Sequence, residues 1–299
     1  MISPQKPGLR DYLLLHLLIV FWGGTSVLGV FSTLQAPYLV VYRTGLAFFT
    51  LAFLLSLREK WILPGNRSLF RMVMAGAFTS FHWTTFFASA QVSNVSTCLA
   101  GMSTTALWTC LLEPVFTGKK FRWLEVFLAV IVSAGLILIF NSDFSMAKGL
   151  IISLSSAFFC SLFTIINRKL VADHSPLLIT TYEMGIAFVA AMLVLPVLAL
   201  RDFIPGASVP IPRDWDWLNI AFLGWVCTVF AYTVSVNLMK KFTAFAMNLT
   251  VNLEPVYGIL LGILIFGQKE QMKPGFYLGL LLIFSGVFIY PFLEKRVSS

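Results

Sequence analysis

Long apolar runs, separated by short polar or turn-rich connections, follow one another along the whole chain. Ten of them are about 20 residues or longer, at 11–31, 37–57, 70–90, 95–117, 122–140, 148–168, 175–200, 216–238, 243–266 and 273–292. A helix crossing a ~30 Å hydrocarbon core needs roughly 20 residues, and nothing between the runs is long enough to form a separate soluble domain. The pattern predicts an all-α integral membrane protein with ten transmembrane helices. Turn formers mark the connections: Ala36-Pro37, Leu63-Pro64-Gly65-Asn66, Gly118 and Gly267. The longer connection 201–215 contains Pro205, Pro210 and Pro212 and reads as an ordered link without a catalytic pattern. The first run lacks an A-x-A-like cleavage site and is read as a span, not a removed signal peptide.

Charge sets the orientation. Only 11% of residues are charged while 58% are hydrophobic, far from globular usage, where about a quarter are charged. A net charge of +8 would suggest nucleic acid for a soluble protein. Here the basic residues sit in the connections and read as topology determinants, so no nucleic-acid partner is expected. With both termini on the cytoplasmic side, that side collects fifteen basic residues: Lys6, Arg10, Arg58, Lys60, Arg67, Arg71, Lys119, Lys120, Arg122, Arg168, Lys169, Lys240, Lys241, Lys295 and Arg296. The opposite side has five: Lys148, Arg201, Arg213, Lys269 and Lys273. Positive residues favour the inside, which predicts cytoplasmic termini in a cytoplasmic (inner) membrane. Cys98, Cys110, Cys160 and Cys227 all lie within apolar runs, with neither a disulfide nor a metal-ligand spacing. No metal and no cofactor is expected.

The second half of the chain repeats the first. Tyr42-Arg43-Thr44-Gly45-Leu46-Ala47-Phe48 in span two is answered 140 residues later by Tyr182-Glu183-Met184-Gly185-Ile186-Ala187-Phe188 in span seven. Ala36-Pro37 corresponds to Ser175-Pro176, and Ser133-Ala134-Gly135 to Phe284-Ser285-Gly286 at an offset of 151. Five spans per half, an odd number, means the halves insert with opposite orientation. The chain thus divides into repeats 1–145 and 146–299, with a substrate site expected near the midplane between them. Leu112-Glu113-Pro114-Val115 also looks like Leu253-Glu254-Pro255-Val256, which would pair Glu113 with Glu254. Aligning the span ends instead, Gly118-Lys119-Lys120 with Gly267-Gln268-Lys269, gives an offset of 149 and makes Thr105 the partner of Glu254. Glu113 lies five residues from its connection and Glu254 thirteen from its own, so the span-end register is preferred because it keeps both helices the same length.

These residues carry a resemblance to the drug/metabolite transporter superfamily, specifically the ten-span EamA-type exporters. It rests on Arg43 in span two, Leu253-Glu254-Pro255-Val256 with Gly267 in span nine, and Ser285-Gly286 in span ten. The resemblance implies two five-helix halves, a central cavity lined mainly by spans one to four and six to nine, and peripheral spans five and ten. It also implies transport of amino acids, other small metabolites, nucleotide sugars or drugs, in the export direction. The final connection departs from the family pattern: it reads Gly267-Gln268-Lys269-Glu270, where a glutamate commonly follows the glycine directly.

Ionisable residues inside spans are costly and point to function. Glu254 and His82 lie about 16 Å and 18 Å into their spans, near the midplane, and form the best candidates for a shared site. Either is a candidate proton carrier. Glu254 is flanked by Asn248 and Asn252; its alternative role is to tie backbone loosened by Pro255 to a neighbouring helix. The alternative for His82 is a core histidine bonded to a neighbouring Ser or Thr. Arg43 and Glu183 are repeat partners, yet their depths leave their backbones on the order of 15 Å apart along the membrane normal. Arg43 is therefore expected to balance Glu254 or meet an anionic group on the substrate, with snorkelling outward as the alternative. Trp22, Trp83, Phe86, Trp108, Tyr182, Trp225, Tyr232 and Tyr257 cluster on the same spans, and an aromatic wall with few polar groups suits an amphipathic or aromatic small molecule. Trp83 and Trp108 rank highest because they neighbour His82 and Thr105. Gly258-x-x-x-Gly262 and Gly275-x-x-x-Gly279 permit close helix packing, in a monomer or a weak homodimer.

No phosphate loop, HExxH, CxxC or GxSxG is present. The leading expectation is a secondary transporter, not an enzyme, moving a small metabolite such as an amino acid by alternating access, with protons as candidate coupling ion. Uptake or exchange of a nucleotide derivative stands as an alternative, as does an integral membrane enzyme or lipid-handling protein.

Overall fold

The computed structural model describes residues 6–118, 120–140, 147–206, 208–254, 256–257 and 274–297. Pro255, Gly258, Gly262 and the Gly267-Gln268-Lys269-Glu270 connection lie outside the described residues. The described chain is all-α: α1 Leu9–Gly23, α2 Thr25–Phe31, α3 Ala36–Arg58, α4 Asn66–Val92, α5 Val95–Met102, α6 Thr105–Thr117, α7 Trp123–Phe140, α8 Ala147–Leu170, α9 Pro176–Leu200, α10 Trp215–Ala221, a π-helical segment Phe222–Phe230, α11 Ala231–Leu238, α12 Ala244–Val251 and α13 Pro274–Val297. Among the described residues, five stretches are both long and apolar enough to cross a membrane: Leu9–Phe31, Ala36–Arg58, Ala147–Leu170, Pro176–Leu200 and Trp215–Leu238. Helix α4 is 27 residues long but more polar, because it carries Arg67 and Arg71 at one end and a series of Ser, Thr and His along its length.

Local chemistry sets the helix ends. Pro37 and Pro176 open α3 and α9 in the first turn, where the missing N–H costs nothing. The side chains of Asn94, Ser175 and Thr243 accept from Thr97, Leu178 and Ala246 backbone N–H and cap α5, α9 and α12. Gly118 ends α6 in the left-handed region at φ 70°, a conformation that favours glycine.

The expected continuous helix over 95–117 is in fact two, broken at Ser103-Thr104. The helix starting at Ala244 is likewise interrupted, at Asn252-Leu253. The two breaks are 149 residues apart. A break frees backbone carbonyls that the bilayer cannot satisfy. Ser103, Thr104 and Thr105 hydroxyls donate to the Ala100, Gly101 and Met102 carbonyls, and Ser133 donates across from α7 to the Ser103 carbonyl. The expected span 11–31 also divides, at Gly24, with Thr25 Oγ1 donating to the Trp22 carbonyl.

Helix α4 packs along α8 and α9, α3 along α9, and α7 along α13. Three glycine contacts in these seams are reciprocal. A methyl on Gly45 would stand 3.0 Å from the Phe188 ring and one on Gly185 2.8 Å from Phe48. Gly76 abuts Ile186 while Gly224 abuts Leu46, and Gly135 abuts Ile283 while Gly286 abuts Val132. Within each pair, the residues of one contact correspond to those of the other through the repeat in the sequence. Glycine is what lets these helices approach so closely. The described residues of the connection 201–215 meet α3, with the Tyr38 hydroxyl donating to the Gly206 carbonyl and Tyr42 to that of Pro210 (2.9 Å).

These seams make a testable demand. A Cβ at Gly76 would lie 2.7 Å from the Glu183 carbonyl oxygen, a backbone atom that cannot move aside, whereas one at Gly65 meets nothing within 4 Å. Gly76→Ala should therefore destabilise the protein by about 1–3 kcal/mol through overpacking, despite the better helix propensity of alanine. Thermal unfolding in detergent checks this, with Gly65→Ala near wild type as the control.

Candidate functional site

Where α1, α2, α3, α4, α5, α8, α11 and α12 converge, they enclose a cavity of about 80 Å³. That space holds several waters but is well below the ~300 Å³ of a typical ligand site, so a bound metabolite requires the walls to part. Arg43, His82 and Glu254 all face it, although each is at least 90% buried. Trp22, Trp83, Phe86, Phe163 and Tyr232 form most of the aromatic wall, and Thr25, Cys160, Thr164, Ser235, Asn248 and three methionines complete it.

Arg43 is held by two groups. Its Nε donates to Thr228 Oγ1 at 2.9 Å, and its guanidinium carbon lies 3.8 Å from the centre of the Trp83 ring. A desolvated cation over an indole face is worth ~2 kcal/mol. Thr228 is free to accept because its own hydroxyl donates to Leu223, five residues back in the π segment. The same segment turns the Cys227 carbonyl to accept from Trp22 Nε1 at 3.1 Å. The irregular helix thus orients two cavity residues at once, a common use of π segments. The terminal nitrogens of Arg43 make no hydrogen bond among the described residues.

Glu254 follows the break in its helix and lies beside Thr25. Each of Arg43 and Glu254 sits in the field of the other, yet no ion pair joins them. The ion pairs among the described residues are Arg122–Glu125 and Lys241–Asp11. The cavity therefore presents a cation and a carboxyl that do not satisfy one another.

His82 is fixed by Ser156. The serine hydroxyl donates to the His82 carbonyl at 2.9 Å, so its only proton is spent and it accepts from the imidazole Nδ1 at 2.8 Å. This network assigns a hydrogen to Nδ1 and leaves Nε2 to meet a ligand. Asn248 is braced by Thr109, to which its amide donates at 2.7 Å, and by Thr164 at 3.3 Å.

Of the candidates from sequence, the structure brings Trp22, Arg43, His82, Trp83, Phe86, Tyr232, Asn248 and Glu254 together around the cavity, while Tyr182 and Trp225 are not among its lining residues. Thr105, Trp108, Glu183, Asn252 and Tyr257 do not line it. Thr105 caps a carbonyl at its helix break, Trp108 stacks edge-on against Phe158, and the Tyr257 hydroxyl meets His16 Nδ1 at 2.7 Å. Asn252 lies in the second break, buried. Glu183 is fully buried behind Tyr232: one carboxyl oxygen accepts from Tyr232 (3.0 Å) and Asn167 (3.1 Å), and the other has no partner among the described residues. Thr228 escaped sequence reasoning altogether. So did Thr164, Ser235 and the methionines, because Ser, Thr and Met at helical spacing look the same in a core as in a cavity wall.

The model of the EamA-like transporter family matches residues 9–141 and again 147–290. This chain belongs to the EamA-like transporter family. It is accordingly a multi-pass membrane protein of a transporter family, with a lipid bilayer around it and a small molecule as its class of substrate. Among solved structures, 29 chains match. One, a crystal structure, shares 15% sequence identity with this EamA-like chain, covers 97% of it and 99% of its own length, and superposes with a TM-score of 0.73. At that identity the likeness shows the fold alone. No curated protein matches at a significant level.

The way Arg43 is held yields a prediction. Arg43→Lys keeps the charge but loses the Nε bond to Thr228 and the planar stacking on Trp83. Ligand affinity, read as KM for transport or as ligand-induced thermal stabilisation, should fall about tenfold or more while expression and folding persist. Unchanged affinity would mean that only the charge matters.

Proposed function

We propose that this EamA-like protein is a secondary transporter of a small zwitterionic metabolite, an amino acid with an apolar or aromatic side chain, acting as an exporter across the cytoplasmic membrane. The observation that carries the reading is that Arg43 and Glu254, which form no ion pair with one another, face one aromatic-walled cavity. A zwitterion supplies the missing partner to each: its carboxylate to the free nitrogens of Arg43 and its ammonium to Glu254, with His82 Nε2 as a further acceptor. Its apolar side chain would lie among Trp83, Phe163, Tyr232 and the methionines. A substrate with several negative charges would find only one cation, Arg43, among the described wall residues.

The architecture we assign is ten spans in two inverted repeats, 1–145 and 146–299, with both termini cytoplasmic. The reciprocal glycine seams support the two-fold relation, and the fifteen-to-five distribution of basic residues supports the orientation. Rocking of one half against the other would open the cavity to each side in turn. Polar contacts join the halves at both ends of the bundle and must exchange during that motion. At one end Lys241 pairs with Asp11 at 2.8 Å. At the other, Ser32 and Thr33 donate to the Asp216 carboxylate, and Asn219 donates to the Leu28 carbonyl. Export rests on the family relationship.

Protons are the proposed coupling ion, with Glu183 as the coupling carboxyl. Tyr232 bridges it to the cavity, and its unpartnered oxygen offers a seat for a proton. Substrate counterflow and gradient-driven accumulation in proteoliposomes separate the two roles. Wild type should accumulate labelled amino acid against a preloaded pool and under an imposed pH gradient. Glu254→Gln should lose both by about tenfold or more. Glu183→Gln should keep counterflow and lose the pH-driven accumulation. Absence of amino-acid counterflow in well-folded wild type would overturn the substrate reading. Full pH-driven accumulation by Glu183→Gln would remove Glu183 from coupling.

A further inference from the structure

A second cavity, of about 660 Å³, lies between α4, α6 and α8 and contains no residue of the first. Helix α8 separates the two. It shows Leu162, Ile165 and Ile166 to the second cavity and Cys160, Phe163 and Thr164 to the first, two faces of one helix set apart by its 3.6-residue period. The walls of the second cavity are apolar except at one end. There Arg67 and Arg71 from α4 meet Lys169 from α8, and Lys169 feels the positive charge of both arginines. No acidic residue is among the described lining residues.

The dimensions decide what fits. From Arg67 to Phe78 along α4, and from Phe158 to Lys169 along α8, the wall runs eleven residues, or about 16 Å of helix. That is close to the ~15 Å depth of one leaflet of a ~30 Å hydrocarbon core. At the rim, Phe70 is 65% exposed and Phe116 44% exposed, so the groove opens sideways toward lipid. The charged end is the one that the distribution of basic residues assigns to the cytoplasm. The positive-inside tendency accounts for basic residues at that end. It does not account for three of them converging, without a counter-charge in the groove wall, above an apolar slot one leaflet deep.

We infer that this groove binds an anionic phospholipid of the cytoplasmic leaflet, its headgroup phosphate among Arg67, Arg71 and Lys169 and one acyl chain along Met74, Phe78 and Leu162. A phosphodiester relieves the mutual repulsion of the three cations, and basic recesses between helices at this face suit such headgroups. The acyl chain packs along the apolar wall of the slot. Lys169 also donates to the Phe116 carbonyl, which ties the headgroup end of α8 to α6.

Lipid retention on the purified, delipidated full-length protein tests this by native mass spectrometry, independently of any transport assay. From an equimolar mixture, phosphatidylglycerol should be retained about tenfold over phosphatidylcholine. Arg67→Gln combined with Arg71→Gln and Lys169→Gln should abolish the preference. Because that variant alters topology signals as well, Leu162→Trp with Ile166→Trp provides a second arm. It fills the chain slot and leaves every charge in place, and it should also lower phosphatidylglycerol retention at unchanged thermal stability. Inorganic phosphate should not displace the lipid. Equal retention of the two lipids, or full phosphatidylglycerol preference in the slot-filled variant, would overturn the inference. Displacement by phosphate alone would reassign the three cations to a free-anion site.

Discussion

Arg43 carries a permanent charge into the interior of a helical bundle, and several elements are shaped around holding it. Removing a guanidinium from water is expensive unless hydrogen bonds and counter-charge compensate. Here compensation is deliberately incomplete. Thr228 takes one N–H and the Trp83 face takes the flat side, while the remaining donors open on a cavity whose carboxyl, Glu254, stays out of ion-pairing range. A bundle that closed the Arg43–Glu254 pair would compensate both groups and leave no uncompensated charge facing the cavity.

The backbone irregularities follow from the same constraint. In hydrocarbon, non-regular backbone survives only where protein or a cavity satisfies it. The π segment spends a threonine on a carbonyl five residues back and so presents Thr228 Oγ1 to Arg43 and the Cys227 carbonyl to Trp22. The helix breaks at Ser103-Thr104 and Asn252-Leu253 occur beside the cavity, the second immediately before Glu254. Helices α3 and α8, which also reach the cavity, and α9, which does not line it, remain continuous and pack through glycine seams. Continuous helices thus frame the cavity, and the irregular backbone lies beside it.

Much of this was legible in the chain because membrane proteins write their constraints in hydropathy. Charged residues within apolar runs singled out Arg43, His82 and Glu254, and all three face the cavity. Aligning Gly118 with Gly267 paired Thr105 with Glu254, and the helix breaks stand in that same register of 149. Glu183 was equally conspicuous as a charge but lies one layer behind the wall, since hydropathy reports that a residue is in the membrane and not which way it points. The breaks themselves carried only a weak signal: Ser103-Thr104-Thr105 is a hydroxyl run able to cap its own carbonyls, and no Pro marks it. The π segment had none, because Phe222–Phe230 reads as an ordinary apolar helix. Thr228 was invisible for that reason.

The central claim is that Arg43 and Glu254 each await a partner carried by one zwitterion. The most direct test measures binding to purified protein, by calorimetry, of a transported amino acid, its amide lacking the carboxylate, and the corresponding acid lacking the ammonium. The account predicts tight binding only for the zwitterion, with each truncated analogue weakened by about a hundredfold as a buried charge is left unpaired. Equal affinity for the zwitterion and the amide would contradict it, because Arg43 would then have no role in recognising the substrate.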